Sequence, residues 1–286
     1  MDSRLRQASP LVVIGMHRSG TRVLVEILDK LGVFMGADRQ ADAESVVFML
    51  INEGILHQCG AFWSEPMSAH FVLEQPEAVE QCAAGAREAL GAQLEKYVGA
   101  SGWHLEGSPE PWPPFGWKDP RNTFTLPVWK RVFPKLKAIH VVRHGVDVAA
   151  SLARRHAAAL QAATGQAVPP ALTVIRDHAL GILSSRRGWT LAEALTMWEQ
   201  YVEKARQESA ALGERALEVR YEDLVTQPQQ VIAAIARFCG VAPSVRHEAL
   251  LARLDAGRAF AFRRDPELAV FAGSVREILS RHGYST

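Results

Sequence analysis

The chain alternates short apolar runs with stretches in which apolar residues recur every three or four positions. Leu11 to Ile14 is a continuous apolar run between Pro10 and Gly15, the pattern of a strand buried on both faces. Beyond Gly20, residues Val23, Leu24, Ile27, Leu28 and Leu31 fall at helical spacing, and Gly32 ends the helix. The same order recurs further on, with a strand from Ile139 to Val142, a turn at His144-Gly145 and a helix from Val146 to Arg155. A third unit runs from a strand, Leu217 to Tyr221, through a loop to a helix from about Thr226 to Cys239. There Thr226 and Gln229 have capping-box spacing, Pro228 sits in the first turn and Gly240 stops the helix.

Between these units, residues 76–98 and the stretch TLAEALTMWEQYVEKARQ read as helices, the latter with a core stripe at Met197, Trp198 and Tyr201. SGWHLEGSPEPWPPFGWKDP carries so many prolines and glycines that it reads as loop throughout. Strands alternating with helices predict an α/β fold with a mostly parallel central sheet flanked by helices, whose ligands bind at the carboxyl ends of the strands. Neither a repeat nor a low-complexity linker interrupts the pattern. A single domain over residues 1–286 is expected, with substrate-side insertions near 40–70, 100–120 and 156–190.

Composition narrows this picture only a little. Of 286 residues, 48% are hydrophobic and 22% charged, which suits a globular core, and the net charge of +1 gives no general attraction to nucleic acid or membrane. Arginine supplies 25 of the 32 basic residues, a bias compatible with recognition of planar oxyanions. The N-terminal MDSRLRQASP places Asp2, Arg4 and Arg6 before a four-residue apolar run, the pattern of neither a signal peptide nor a membrane anchor. Cys59, Cys82 and Cys239 are widely spaced and match no metal-ligand pattern, so a reduced, cytoplasmic protein without a metal centre is expected.

The chemistry concentrates in VVIGMHRSGTRVL, residues 12–24. A loop that leaves a buried strand and opens a helix presents unpaired N–H groups and the positive end of a helix dipole, a setting for an anion. Gly15 and Gly20 permit tight turning, Ser19 and Thr21 offer hydroxyls, and Arg18 brings charge into the loop; Arg22 follows. A nucleotide triphosphatase carries a lysine where Thr21 stands, and an acidic metal ligand at a strand end where this chain has Arg143. A metal-bound triphosphate would lack its usual partners.

GMHRSGTRVL resembles the 5′-phosphosulfate loop of the sulfotransferases that use 3′-phosphoadenosine 5′-phosphosulfate. IHVVRHGVDVAASL is similar to their 3′-phosphate motif, an arginine at a strand end with a serine eight positions on, here Arg143 and Ser151. GWKDPR (116–121) and VRYEDL (219–224) extend the resemblance, which covers residues 11–240 or so and is nearest to the bacterial and carbohydrate-type members. It implies a P-loop-like architecture and transfer of a sulfuryl group to an acceptor hydroxyl on a small molecule or glycan. Adenosine 3′,5′-bisphosphate would leave, and no metal would be required. A donor with a 5′-phosphosulfate and a 3′-phosphate needs two separate anion sites, and the chain offers two basic strand-end loops.

The remaining roles follow from the reaction and the resemblance together. AESVVF places Glu44 before Val47-Phe48, similar to the Glu-x-x-Phe-Phe segment of heparan sulfate 3-O-sulfotransferases, whose glutamate is the base. Glu44 is therefore the first candidate, with Glu53, His57 and His17 in reserve; His17, inside the anion loop, would be favoured as imidazolium by the phosphosulfate. Lys118 matches a family lysine before a proline-containing turn and is assigned to contact with the acceptor or sulfuryl group, against the alternative of an ion pair with Asp119 or a nearby acid, and Arg121 joins either role. Tyr221 is either an adenine contact or a core residue. Arg143 has an alternative partner in Asp147, and the third 3′-phosphate ligand is left open among Arg258, Arg263 and Arg264. Two other functions stay in view, a small-molecule kinase with a degenerate P-loop and a nucleotide-binding regulatory protein without catalysis.

Overall fold

The computed structural model describes residues 7–99, 113–164, 188–242 and 254–286. Four strands, β1 (Leu11–Ile14), β2 (Gly116–Lys118), β3 (Lys137–Val142) and β4 (Ala216–Arg220), form an all-parallel sheet in the order β2-β1-β3-β4. The principal helices are α1 (Thr21–Lys30), α2 (Val46–Gln58), α3 (Met67–Val72), α4 (Pro76–Val98), α5 (Asn122–Val132), α6 (Gly145–Thr164) and α7 (Leu191–Leu212). They continue with α8 (Tyr221–Thr226), α9 (Pro228–Cys239), α10 (Pro266–Ser274) and α11 (Arg276–Arg281). Successive side chains of a strand point to opposite faces, so Leu11 and Val13 join one apolar cluster with α1 and α9 residues such as Leu24, Ile27 and Ile232. Val12 and Ile14 join the other, with Phe48, Trp117, Trp129, Trp198 and Tyr201. The stripe Met197, Trp198 and Tyr201 is wholly buried, as its spacing implies. No helix among the described residues is long and apolar enough to cross a membrane.

Strand order explains where a ligand belongs. The chain leaves β1 for β2 on one side, whereas β3 continues to β4 on the other, so the crevice lies between the carboxyl ends of β1 and β3. The two ends are in register, Ile14 opposite His140, and they come unusually close just beyond. Gly15 has φ +130, and a Cβ there would stand 2.4 Å from the carbonyl oxygen of Val141. Only glycine lets the first loop leave β1 along this path.

Three local expectations are corrected. Gly116–Lys118, within the stretch read as loop, is strand β2: it pairs with β1, and Trp117 lies flat on Phe48 with ring centroids 3.9 Å apart, so burial of a large aromatic overrides the local turn chemistry. The capping box at Thr226 does not form, because α8 begins directly after β4 and the Thr226 hydroxyl donates to the Glu222 carbonyl inside it. Helix α9 starts at Pro228 with no side-chain cap. The helix expected to end at Arg155 continues to Thr164. Of the expected insertions, residues 100–112, including Trp112, and residues 165–187 lie outside the described residues.

One buried amide ties the site-bearing elements together. Asn52 of α2 donates to Asp119 Oδ2 (2.9 Å) and Asn122 Oδ1 (2.8 Å) and accepts from Thr125 Oγ1 (2.7 Å) and Trp129 Nε1 (2.8 Å). Asn122 in turn donates to the Val13 carbonyl at 3.1 Å, so α2, α5 and β1 share one network. Asn52→Leu would take a bond from all four partners and leave two of them, Asp119 Oδ2 and Trp129 Nε1, with no other, and chemical denaturation is expected to show a loss of about 3 kcal/mol.

Candidate active site

The loop after β1 is built to leave its N–H groups available. Gly15 N–H donates to Thr123 Oγ1 at 3.0 Å, which anchors the loop to α5, and Ser19 N–H donates to the Met16 carbonyl at 3.2 Å. Arg18 takes a left-handed backbone, φ 71, a conformation costing about 1 kcal/mol or more for a residue with a side chain. Gly20, φ 96, is the N-cap of α1; no side chain caps that helix and its first turn holds no acid. Gly20, Thr21, Arg22 and Val23 line a cavity of about 630 Å³ into which the positive end of the helix therefore opens. Ser19 is buried behind the loop and does not line it. Arg22 sits at the exposed rim and pairs with Glu26 at 3.1 Å.

From the end of β3, Arg143 enters the same cavity. Its guanidinium lies over the Tyr221 ring, 4.6 Å from the centroid, and donates to the Arg258 carbonyl at 3.0 Å. The ion pair with Asp147 forms at 3.6 Å, but that carboxylate also accepts from the backbone N–H groups of Ala261 and Phe262 (3.1 and 2.8 Å). Arg143 Nε is buried with no hydrogen-bond partner among the described residues. Tyr221 is both core and wall: it lines the cavity while only 3% exposed, and a Cβ on Gly20 would stand 2.3 Å from its ring. Arg18 Nε donates to Ser151 Oγ at 3.0 Å, so the two loops touch through polar atoms.

Glu44 forms the acidic corner of the cavity. It precedes Ser45, the N-cap of α2, after a tight turn in which Gln40 N–H donates to the Glu44 carbonyl at 2.9 Å. The carboxylate is 4% exposed and accepts from Lys118 Nζ at 3.0 Å, with Arg121 at 3.5 Å. Lys118 also donates to the Asp42 carbonyl, so its partner is Glu44 rather than Asp119. Asp119 and Glu53 hold Arg121, each at 2.9 Å. Burial raises the Glu44 pKa, Lys118 opposes the rise, and Asp119 adds to it. Arg121, although burial works against its charge, is held firmly protonated by Asp119, Glu44 and Glu53.

The reserve bases separate cleanly. Glu53 is engaged with Arg121 and His57 packs edge-on to Phe62, and neither lines the cavity. His17 does line it, but burial first, and then the charges of Arg155, Arg121, Lys118 and Arg18, push its pKa well below the ordinary value. Without an anion in the loop these effects favour the neutral ring; the imidazolium expected from the sequence is the form that bound phosphosulfate would favour. Among the late arginines, Arg258 and Arg264 line the cavity, whereas Arg263 packs over Phe260 with its guanidinium 4.6 Å from the ring centroid.

Sequence reasoning passed over Arg154, Arg155, Asp42 and Asp255, all of which line the cavity. The two arginines had a signal: they lie three and four residues beyond Ser151, on the same side of a helix. The acids had none. In all, eight basic side chains line the cavity (Arg18, Arg22, Lys118, Arg143, Arg154, Arg155, Arg258, Arg264) against three carboxylates (Asp42, Glu44, Asp255). Such an excess is tenable without ligand at a cost in mutual repulsion, visible in Arg18, whose pKa is lowered by burial and by Arg143. The one grouping of three prospective metal ligands among the described residues, Glu199, Glu203 and His282, is not part of the cavity.

Comparison with known proteins identifies the family and the fold. Residues 10–244 match the family described as the sulfotransferase family. Among solved structures, the sulfotransferase domain from the Synechococcus PCC 7002 olefin synthase is 20% identical with a TM-score of 0.53, over 98% of this chain and 96% of that one. The sulfotransferase domain from the curacin biosynthetic pathway is 18% identical with a TM-score of 0.50, over 89% of this chain and 80% of that one. At these identities the two structures support the fold. No curated protein sequence matches significantly.

Excess cationic charge and an uncapped helix give a direct expectation. Inorganic sulfate or phosphate is expected to raise the thermal midpoint, an anion at a hundred times its dissociation constant adding about 2.7 kcal/mol. In Arg143→Gln the rise should shrink, measured by scanning calorimetry at constant ionic strength. An equal rise with chloride would show general screening instead.

Proposed function

The chain belongs to the sulfotransferase family, and on that premise we propose that it moves a sulfuryl group from 3′-phosphoadenosine 5′-phosphosulfate to the hydroxyl of a small molecule or glycan. The observation that carries this reading is the sharing of one cavity by two basic strand-end loops, joined by the Arg18–Ser151 hydrogen bond, and the buried Glu44–Lys118 pair. The fit to such a donor rests on the uncapped N-terminus of α1 and on the orphaned Nε of Arg143, two anion-seeking features at adjacent strand ends.

In this reading Arg18, Gly20, Thr21 and, at the rim, Arg22 hold the 5′-phosphosulfate, and Ser19, expected from the sequence to join them, packs behind the loop. Arg143 and Ser151 hold the 3′-phosphate, with Arg258 or Arg264 as the further ligand, and Tyr221 borders the adenine. Glu44 takes the proton of the acceptor hydroxyl as its oxygen bonds to sulfur and the bond from sulfur to the bridging phosphate oxygen breaks in line. Lys118 and Arg18 neutralise the charge that develops on the departing phosphate, which leaves as adenosine 3′,5′-bisphosphate. Fixed cations thus do the neutralising, and a metal ion has no assigned role. The free thiols of Cys59, Cys82 and Cys239 suit a reducing compartment, the cytoplasm. A kinase would need a metal-bound triphosphate, for which Thr21 and Arg143 are the wrong residues at the loop and strand end.

Titration calorimetry tests the donor site: adenosine 3′,5′-bisphosphate is expected to bind at least about tenfold more tightly than 5′-AMP, the worth of one charge-assisted contact set. Equal affinities would remove the roles of Arg143 and Ser151, and a requirement for Mg²⁺ and ATP would favour the kinase. Turnover should survive chelation of divalent metals. Glu44→Gln is expected to lower kcat by about 10²–10⁴ with bisphosphate binding retained. Because Glu44 works ionised and burial raises its pKa, kcat should fall as pH drops, along a limb displaced above the ordinary carboxylate range, and that limb should vanish in the variant.

A further inference from the structure

Arg143 and Arg155 both lie over aromatic rings in the cavity, Arg143 from the end of β3 and Arg155 from α6, one helical turn beyond Ser151. Arg18 feels the like charges of Arg143, Arg154 and Arg258 and the opposite charge of Asp42. Arg155 feels Arg18 first and then Glu44, Asp42 and Arg121, so the buried carboxylate as well as the first loop is within its electrostatic reach. Its guanidinium lies over Trp63, 5.1 Å from the ring centroid. Trp63 is itself fixed: Tyr201 Oη donates to its carbonyl at 2.7 Å, and the His17 ring meets it edge-on with centroids 4.8 Å apart. Arg155 Nε and His17 Nε2 are both buried without a hydrogen-bond partner among the described residues, and His17 as a whole is only 7% exposed.

We infer that Arg155, standing on Trp63 beside His17, is the counter-ion of an oxyanion on the acceptor, and so determines specificity for alcohols that carry a carboxylate or phosphoryl group. The inference rests on the sulfotransferase reading of the same cavity. The donor's anionic groups are met by the two strand-end loops, and Glu44 is matched by Lys118 and Arg121, which leaves Arg155 with no assigned anion. Burial and Arg18 lower its pKa to about 10, so it remains charged at neutral pH, a half-buried cation with no ion pair to a carboxylate among the described residues. A planar guanidinium held on an aromatic face offers fixed donors suited to a carboxylate or phosphoryl fork, and neutral His17 adds a ring nitrogen to the same corner. An uncharged acceptor could bond these nitrogens but would leave the cation without a countercharge.

Glucuronate, glucose 6-phosphate and glucose form a matched set of probes, titrated calorimetrically into full-length protein saturated with adenosine 3′,5′-bisphosphate. At least one anionic sugar is expected to bind about tenfold more tightly than glucose, and the better of the two identifies the group as carboxylate or phosphoryl. In Arg155→Gln the preference should disappear while bisphosphate affinity changes less than about twofold, as for independent sites. Arg155→Lys, which keeps the charge, should retain part of the preference and guards against a folding defect in the glutamine variant. Glucose binding as tightly as both anions to the wild type, or a tenfold loss of bisphosphate affinity in Arg155→Gln, would overturn the inference and leave the donor reading standing. Failure of the wild type to bind the bisphosphate at all would overturn both.

Discussion

The contact between Gly15 and the Val141 carbonyl is the constraint on which the site depends. Two parallel strands deliver their carboxyl ends side by side, and the first loop must pass against the backbone of the second with no room for a side chain. That passage turns a separation of more than a hundred residues into a single hydrogen bond, Arg18 to Ser151. Every other element serves this crevice. Helix α1 points its positive end into it, α6 carries Ser151, Arg154 and Arg155 along one wall, and Tyr221 fills the space above Gly20. The large aromatics of the opposite sheet face, Trp117, Trp129 and Trp198, form the rigid floor against which such tolerances can be kept.

Electrostatically the cavity is held in two different ways. Around Glu44 the cations are matched: Lys118 and Arg121 face Glu44, Asp119 and Glu53 within ordinary ion-pair distances, and of these side chains only Glu53 is open to water to any extent. Along α6 and the β3 loop the matching is incomplete: Arg143 shares Asp147, at 3.6 Å, with two backbone N–H groups, and the guanidinium groups of Arg143 and Arg155 lie over Tyr221 and Trp63. An aromatic face stabilises a cation without neutralising it, so these arginines keep both their positions and their attraction for anions. The matched region is suited to moving a proton, and the incompletely matched one to holding negative charge.

Much of this was legible along the chain because it is encoded locally. The apolar runs before Gly15 and Arg143 and the helical periodicity after them identified β1, α1, β3 and α6, and the basic residues Arg18 and Arg143 pointed to the two loops that share the cavity. What stayed hidden depends on contacts between distant segments. Strand β2 was masked by prolines and glycines because its stability comes from Phe48 and β1, not from its own composition. Thr226 kept the spacing of a cap but found a nearer acceptor in Glu222. The pairing of Lys118 with Glu44, 74 residues away, left no periodic trace. Arg154 and Arg155 are the instructive omission, since helical spacing from Ser151 was enough to place them on the cavity wall.

The buried amide of Asn52 has a consequence of its own. Its oxygen faces two donors and its nitrogen faces two acceptors, one of them the carboxylate of Asp119. The group can therefore be read in only one orientation, and aspartate, which differs by a single substitution of oxygen for NH₂, would set one carboxylate against another in a dry interior. Hydrolysis of this one amide, the commonest form of chemical ageing for asparagine, would carry a negative charge into the packing beneath the Glu44 network while leaving the shape of the side chain almost unchanged. At this position the fold discriminates not by size or hydrophobicity but by a pair of protons.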